Sequence, residues 1–342
     1  MMPLISIYGT VYNNVYIVED SILSLYKALS DFERNYELVI VDNYSTDGTW
    51  EKLLKLRRII KNMKLLRCKC SRGKGRDIAL RHTNGDYVMY VDFDCLFSNE
   101  LNAVIAKLRR ICAKGEIWNF GFATRETMIE QVGGWKDLNF GEDWELLWRA
   151  IKRGVKLKII TVKSPIQNVR LTSNGVYGEK RYAQSKKTYV LRKLKNLRDT
   201  VIGYGLNPTH VIYSSNSLSR PSTFMLLIFS TAYSFVNALK GDMNNTYIKY
   251  QVYASIEYLF PEEVGLPRKW FYIFWEDINW TWPAIARHVK EFIRKDAEIH
   301  FALLPYRKLL ISFRDYDVFK ESLKEYFLST SHKRIGRIML KF

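Results

Sequence analysis

The sequence has few cysteines, and they do not form the pattern of a stapled or metal-bound fold. Only four occur among 342 residues, which excludes a small secreted scaffold held together by disulfides. Cys68 and Cys70 lack the second pair that a structural zinc site needs, which argues against zinc. The first thirteen residues contain no basic segment followed by a long apolar run, so no export signal is expected there. These absences favour a reducing, cytoplasmic compartment.

Acidic residues are scarce in one part of the chain. Between Ile151 and Thr200 there are 14 Lys and Arg residues but only Glu179 and Asp199 as acids, whereas residues 1–150 carry 21 basic and 20 acidic residues. The formal net charge of +18 is therefore concentrated in one segment. Such a segment suits an anionic membrane surface, a polyanion or phosphorylated ligands, and the charge alone does not choose among them.

Apolar and amphipathic segments alternate through the first half of the chain. The pattern predicts strands at Leu4–Val11, Leu38–Val41, Lys64–Cys70 and Tyr87–Val91, and helices at Val18–Leu29, Thr49–Ile60 and Gly75–His82. Alternation of this kind predicts an α/β fold with a mostly parallel sheet, in which ligands bind at the carboxyl ends of the strands. No Gly-x-Gly-x-x-Gly follows the first strand, which argues against a dinucleotide-dependent oxidoreductase.

The first of three polar clusters follows the second predicted strand. It consists of Asp42 and a turn that contains Ser45, Asp47 and Gly48. A carboxylate at this place can accept hydrogen bonds from the N–H edge of a ligand. An ordinary strand-to-helix turn, with Ser45 or Asp47 as the helix N-cap, is an equally simple explanation.

The second cluster is Asp92-Phe93-Asp94, after the fourth predicted strand. In an extended segment, both carboxylates would lie on one side and Phe93 on the other. Two adjacent carboxylates repel each other unless a cation or hydrogen-bond donors satisfy them. A divalent cation that also holds a diphosphate would do so. The alternative is a solvated turn with capping residues.

The third cluster combines Gly133-Gly134-Trp135 with Gly141-Glu142-Asp143-Trp144, at the start of a further predicted helix. Carboxylates at a helix N-terminus are stabilised by the helix dipole, so capping explains Glu142 and Asp143 equally well. A carboxylate held between tryptophans at the rim of a site is also suited to act as a general base.

The order of the three clusters resembles family 2 glycosyltransferases with the GT-A fold. Two further segments, Gly9–Asn13 and Arg72–Leu80, fit the same resemblance, which covers about Leu4 to Ile160. It implies an α/β GT-A sheet flanked by helices and a hexosyltransferase that uses a nucleoside-diphosphate sugar. It also implies inversion of the anomeric centre in a single displacement, with Mg²⁺ or Mn²⁺ as cofactor.

The resemblance also implies roles for individual residues. It assigns Asp143 as the base that deprotonates the acceptor hydroxyl, with Glu142 beside it, and Asp94 as the metal ligand. Trp135 and Trp144 are expected on the acceptor side. The expected donor-binding residues are Thr10, Tyr12, Asp42, Lys74, Arg76 and Asp92.

Two family features are missing. Members often supply a histidine after the Glu-Asp helix, but Ser164–Arg170 contains none, and Gln167 or Asn168 is a candidate to replace it. The Gln-x-x-Arg-Trp signature of processive synthases is also absent, because Leu171 follows Arg170. Its absence argues against a polymer synthase.

We expect three regions: a GT-A catalytic domain over 1–165, a basic and partly helical segment over 166–215, and a mainly helical region over 216–342. A basic helix predicted at Tyr182–Val201 would contact anionic lipid. The uncharged segment Pro221–Leu239 would either span a membrane or lie on it.

The leading interpretation is a peripheral enzyme at the inner membrane face that glycosylates a glycan or lipid-linked acceptor, with no nucleic acid as partner. The alternative is a nucleic-acid-binding protein that uses residues 151–200, but the nearly neutral first half, with its acids at strand ends, makes it the weaker hypothesis. A catalytically inactive scaffold is a further alternative, and the presence of Asp42, Asp94 and Asp143 argues against it.

Overall fold

The computed structural model describes residues 5–160 without a gap. Beyond them it describes residues 162, 165–168, 199, 252, 255–259, 261–267, 270, 273–274, 297–300 and 310–313. The helices are α1 (Val18–Ala28), α2 (Phe32–Asn35), α3 (Thr49–Ile59), α4 (Arg72–Arg81), α5 (Glu100–Ile111) and α6 (Glu142–Lys152). The first nine strands are β1 (Ile5–Val11), β2 (Tyr36–Asp42), β3 (Met63–Arg67), β4 (Tyr87–Tyr90), β5 (Cys95–Phe97), β6 (Glu116–Trp118), β7 (Phe122–Thr124), β8 (Lys156–Ile160) and β9 (Ile166–Asn168). The last four are β10 (Ile256–Leu259), β11 (Ile273–Phe274), β12 (Ala297–His300) and β13 (Leu310–Phe313).

An eight-stranded sheet forms the centre of the fold, in the order β10-β8-β6-β7-β4-β1-β2-β3. The pairs β1–β2, β1–β4, β2–β3 and β6–β8 are parallel, while β7 runs antiparallel to β4 and β6. Every residue of β2 is buried, as expected for an apolar strand inside a sheet that is covered on both faces. The predicted α/β class, with a mostly parallel sheet flanked by helices, is confirmed.

The core lies against both faces of this sheet. On one face, Tyr8, Val39 and Val41 pack with residues of α4, α6 and the segment 128–135. Ile7, Leu38 and Ile40 alternate with them along β1 and β2, so they point to the opposite face, and they are also completely buried. The apolar alternation in the two strands therefore explains both layers of the core.

Two predicted elements differ from the structure by three residues at one end. Helix α4 begins at Arg72 instead of Gly75, because Ser71 caps it by accepting a hydrogen bond from the Lys74 amide at 3.0 Å. Strand β3 ends at Arg67 instead of Cys70, because its partner β2 ends at Asp42, which pairs with Arg67 in the ladder.

Contacts divide the chain into two compact units, residues 1–159 with 164–257 and residues 160–163 with 258–342. The second unit contains a small antiparallel sheet in the order β11-β13-β12. Within the region 216–342, which was expected to be mainly helical, residues Ala297–His300 and Leu310–Phe313 instead form the strands β12 and β13.

The predicted segment Pro221–Leu239 lies outside the described residues, and so does the predicted basic helix except for Asp199. In the part of the chain that is described, no helix is both long enough and apolar enough to cross a bilayer. The three-region division at 165 and 215 stays a prediction.

Candidate active site

The three polar clusters meet at one edge of the sheet. Strands β1 and β2 end side by side, with Val11 paired to Asp42, and Tyr90 at the end of β4 is in register with Tyr8 of β1. Because the strands are parallel, the segments that follow them emerge on the same side. Thr10 lies inside this edge, where its hydroxyl donates to the Val41 carbonyl at 2.9 Å. Tyr12 lies outside it and is 41% exposed.

Asp42 is completely buried and already has partners. Both of its carboxylate oxygens accept from the Ser45 amide at 3.2 Å, and Oδ2 accepts from Arg67 Nε at 2.9 Å. The Arg67 guanidinium lies 4.9 Å from the ring centroid of Tyr44 and 5.0 Å from that of Trp50. The groups presented to solvent beside Asp42 are thus Arg67 and Tyr44, which is 52% exposed. Arg67 was not predicted from the sequence, although a basic residue at the end of β3, opposite Asp42, indicates a partner for that carboxylate.

The Asp92-Phe93-Asp94 segment is a turn between β4 and β5, so the expectation of an extended segment with both carboxylates on one side is wrong. Strand β4 ends at Tyr90, and Phe93 is buried with its carbonyl oxygen accepting from Asn14 Nδ2 at 2.6 Å. This anchoring turns the chain and separates the environments of the two acids. The Asp92 side chain is 49% exposed, whereas Asp94 is buried at 6%.

Arg76 lies between the second and third clusters. Its Nη2 donates to Asp92 Oδ1 at 2.7 Å and its Nη1 to Glu142 Oε1 at 2.9 Å. The rings of Tyr90 and Trp135 each lie 4.8 Å from the guanidinium, which is only 3% exposed. Burial lowers the pKa of Arg76, but the Asp92 and Glu142 carboxylates more than offset this effect, so the pKa is raised and the side chain stays charged.

Glu142 and Asp143 open α6 but have different surroundings. Glu142 is 2% exposed, and its Oε1 accepts from Arg76 and also from Arg72 at 3.1 Å. Glu142 Oε2 is buried without a hydrogen-bond partner among the described residues. Asp143 is half-buried, and its Oδ1 accepts from the Trp144 amide at 2.9 Å. Of the two acids, Asp143 has the more exposed side chain.

The two expected acceptor-side tryptophans occupy different environments. Trp135 is buried, and its Nε1 donates to the Tyr8 hydroxyl at 3.0 Å. This bond holds the Trp135 ring in its contact with the Arg76 guanidinium. Trp144 is partly buried against the core. Phe140, two residues before Glu142, is 46% exposed and presents an aromatic surface that the sequence analysis overlooked.

The loop that leads into α6 is attached to the first turn of α4. The Gly73 amide donates to the Leu138 carbonyl at 2.8 Å, and the Arg72 amide donates to Asn139 Oδ1 at 3.1 Å. The Asn139 amide in turn donates to Asp199 Oδ2 at 2.6 Å, and Asp199 is completely buried. These bonds fix where α6 begins. Lys74, also on this turn of α4, is 48% exposed and lies 4.0 Å from Asp77.

A divalent cation fits the Asp92–Asp94 turn only if it arrives with other ligands. Among the described residues, no group of three or more His, Cys, Asp or Glu side chains comes together as a metal site. Asp92 is half-exposed, though ion-paired to Arg76, and Mg²⁺ commonly takes one or two carboxylates together with phosphate oxygens of a substrate. The backbone of β9 pairs with β5 directly after this turn, with Asn168 opposite Cys95. Asn168, one of the two candidates to replace the missing histidine, therefore lies opposite the residue that follows Asp94, and Gln167 lies opposite Leu96.

A comparison with sequence models of known families gives a match for the first half of the chain. Residues 6–158 match the sequence model of Glycosyl transferase family 2. An uncharacterized glycosyltransferase of Haemophilus influenzae is 34% identical over 101 residues, which cover 29% of this chain and 39% of the relative. The matched part thus spans well under half of that relative.

Two solved structures are similar at low identity. S. aureus TarS 1–349 is 13% identical with a TM-score of 0.46, over 92% of this chain and 97% of that one. The mannosyltransferase PcManGT from Pyrobaculum calidifontis, solved with GDP-Man and Mn²⁺, is 15% identical with a TM-score of 0.41, over 75% of this chain and 74% of that one. The matched sequence model carries the assignment: residues 6–158 of this chain form a Glycosyl transferase family 2 domain.

Proposed function

We propose that this protein transfers a sugar from a nucleoside-diphosphate sugar to a hydroxyl group of an acceptor, with inversion at the anomeric carbon. One observation carries the proposal. The acidic turn at Asp92–Asp94 and the first residues of α6 meet at one edge of the sheet and share the Arg76 guanidinium. In the proposal, the diphosphate therefore binds beside the general base.

Asp143 is the base in this proposal. Its carboxylate lies in the first turn of α6 and is half-buried, while Glu142 beside it is enclosed by Arg72 and Arg76. A base in hydrogen-bond reach of the acceptor hydroxyl increases its nucleophilicity as the bond to the anomeric carbon forms. The proton moves to Asp143, and the nucleoside diphosphate leaves on the opposite side of the sugar.

The donor occupies the carboxyl ends of β1, β2 and β4. Asp92 faces the ribose, with Asp94 behind it, and a Mg²⁺ or Mn²⁺ ion on these carboxylates would neutralise charge on the departing diphosphate. Lys74 is exposed on α4 and adds a mobile positive charge near the diphosphate.

The nucleotide base of the donor would lie beside the end of β2, near Thr10. We assign its contacts to Tyr12, Tyr44 and Arg67, because these side chains are at least partly exposed. Asp42 acts through Arg67, since its own carboxylate is completely buried.

The acceptor approaches from the side of α6. Phe140 is exposed and Trp144, which follows Asp143, is only partly buried, so both can offer an aromatic surface to the apolar face of a sugar. We further propose that the acceptor is a glycan or lipid-linked, and that the enzyme works as a peripheral protein at the inner membrane face. The concentration of basic residues between 151 and 200 supports this part of the proposal.

A screen of nucleotide sugars tests the activity. Purified protein is incubated with uridine- and guanosine-diphosphate sugars, with Mn²⁺, with Mg²⁺ or with a chelator, and the release of nucleoside diphosphate is measured. Asp86→Asn is a matched control, because Asp86 is exposed and precedes β4 at the opposite end of that strand. Release by the wild type and by the control, but not by Asp143→Asn, supports the proposal. No release from any donor contradicts it.

Liposome co-sedimentation tests the location. Attachment through basic residues should weaken with salt, because the Debye length falls from about 10 Å at 0.1 M to about 3 Å at 1 M. We expect binding to anionic vesicles that is lost at high salt and in a Lys186/Lys187/Arg192/Lys193→Gln variant. Binding that ignores both changes would indicate an inserted segment, and no binding to either lipid would contradict membrane association.

A further inference from the structure

Arg76 connects two motifs that are 50 residues apart in the chain but must act on the same substrate. One amino group of its guanidinium binds Asp92 at 2.7 Å, and the other binds Glu142 at 2.9 Å. These contacts join the turn after β4 to the first residue of α6. A guanidinium is rigid and planar, so it fixes the distance between its two partners as well as neutralising them.

The surroundings of Arg76 prevent it from moving to another partner. Its side chain is 3% exposed and lies against the rings of Tyr90 and Trp135, with both centroids 4.8 Å from the guanidinium carbon. Trp135 is itself held by hydrogen bonds from its ring nitrogen to Tyr8 and from its amide to Asp77. A cation enclosed in this way has almost no surface to offer a nucleotide.

Glu142 depends on this contact more than Asp92 does. Glu142 is 2% exposed, whereas the Asp92 side chain is 49% exposed and can be solvated by water. A buried carboxylate that loses its cation is strongly destabilised. Arg72, the other cation on Glu142, is 44% exposed, so it can replace only part of the contact.

We propose that Arg76 is a positioning residue that sets the separation between the donor-binding turn and the base Asp143, acting through Asp92 and Glu142 instead of touching the donor. The proposal rests on the function proposed above. Asp143 follows Glu142 directly in the first turn of α6, so a shift of Glu142 shifts the base as well. A misplacement of about 1 Å is enough to reduce turnover on the order of a hundredfold.

The test compares three substitutions of arginine. Arg76→Lys keeps the charge but loses the planar fork, Arg76→Met removes the charge, and Arg72→Met removes the other cation on Glu142 while leaving the connection to Asp92. Arg58→Met is the control, because Arg58 is exposed and lies in the last turn of α3, outside the contacts of Arg76. For each variant, kcat at saturating donor, affinity for the nucleoside diphosphate by calorimetry and the midpoint of thermal unfolding are measured.

We expect Arg76→Lys to remain folded and to keep its nucleotide affinity, while kcat falls about 10- to 100-fold, the usual range for residues that orient others. Arg72→Met should reduce kcat less, and Arg58→Met should leave it unchanged. Loss of nucleotide affinity in Arg76→Lys, with or without loss of kcat, would overturn the proposal and make Arg76 a donor ligand. An unchanged kcat in Arg76→Lys would also overturn it.

If Arg76→Met does not fold, the double variant Arg76→Met/Glu142→Gln replaces it, because it removes the uncompensated buried carboxylate. If the wild type uses no nucleotide sugar, the proposed function fails, and the contact is then judged by thermal unfolding. Glu142→Gln should lower the unfolding midpoint less in the Arg76→Lys background than in the wild type. Equal effects in both backgrounds would overturn the connection itself.

Discussion

Replacing Gly73 by alanine tests how the loop before α6 is held in place. A Cβ at this position would lie 2.0 Å from the Lys136 carbonyl oxygen and 3.0 Å from the Leu138 carbonyl oxygen. Real Cβ atoms essentially never come within 3.0 Å of another heavy atom, so the loop must move by about 1 Å. The obstructing atoms belong to the backbone, and no side-chain rotation can relieve the overlap.

The expected loss of stability follows from three contributions. Moving the loop breaks the hydrogen bonds from Gly73 to Leu138 and from Arg72 to Asn139, each contributing about 1 kcal/mol. The residual overlap adds about 1–3 kcal/mol. Alanine in a helix is favoured over glycine by about 1 kcal/mol, which offsets part of this loss. We therefore expect Gly73→Ala to lower the free energy of unfolding by about 2–4 kcal/mol.

The assay is urea unfolding followed by circular dichroism, together with turnover at saturating donor. Gly154→Ala is the control, because its φ of +75° is unfavourable for alanine while nothing lies within 4 Å of its Cβ, so it should lose only about 1 kcal/mol. Turnover of Gly73→Ala should also fall, since the displaced loop leads into Asp143. A Gly73→Ala protein that is as stable as the wild type, or more stable, would refute the described packing.

Three further predictions concern single side chains. Asp94→Ala should abolish metal-dependent binding of a nucleoside diphosphate, and calorimetry with and without Mn²⁺ that shows unchanged affinity would refute the metal role. Burial alone would raise the pKa of Glu37, but hydrogen bonds from Lys64, Ser6 and the Asn84 amide outweigh this effect, so the pKa is lowered. The ionised Glu37 and its hydrogen bonds therefore stabilise the protein above about pH 4.3. In urea unfolding, Glu37→Gln should therefore have a free energy of unfolding about 1–3 kcal/mol below that of the wild type at pH 7. This difference should shrink as the pH falls below about 4.3, and a pH-independent difference would contradict the prediction. Burial raises the pKa of the Cys70 thiol to about 12, so only about 10⁻⁴ of the thiol is ionised at pH 8. Peptide mapping should therefore show that Cys70 is alkylated much more slowly than free cysteine. A rate like that of free cysteine would contradict the burial.

The sequence predicted strands β1 to β4 of the sheet, because they are short apolar runs that alternate with amphipathic helices, but it did not predict β6, β7, β8 and β10. Strand β1 and helix α1 agree with the prediction to within one residue at each end. The first turn of α4 was missed because Gly73 and Gly75 are poor helix formers. Both glycines are explained only by tertiary contacts, since a Cβ would meet Lys136 at the first and Thr10 at the second.

The candidate site was predictable as a set of acids but not as a network. Asp92, Glu142 and Asp143 were identified from their positions after strands and before a helix. Their partners were not, because the contacts of Arg76 join segments that are 16 and 66 residues away in the sequence. Periodicity places a side chain on a face of an element, but it does not say which distant residue neutralises it.

The central claim is that Asp143 is the general base of a nucleotide-sugar-dependent transferase. The most direct measurement compares Asp143→Asn with the wild type in two assays, turnover at saturating donor and calorimetric affinity for the nucleoside diphosphate. We expect a fall in turnover of about 10²- to 10⁴-fold with unchanged affinity, because a general base acts on the acceptor and not on the donor. Wild-type turnover in Asp143→Asn, or a joint loss of turnover and donor affinity, would contradict it.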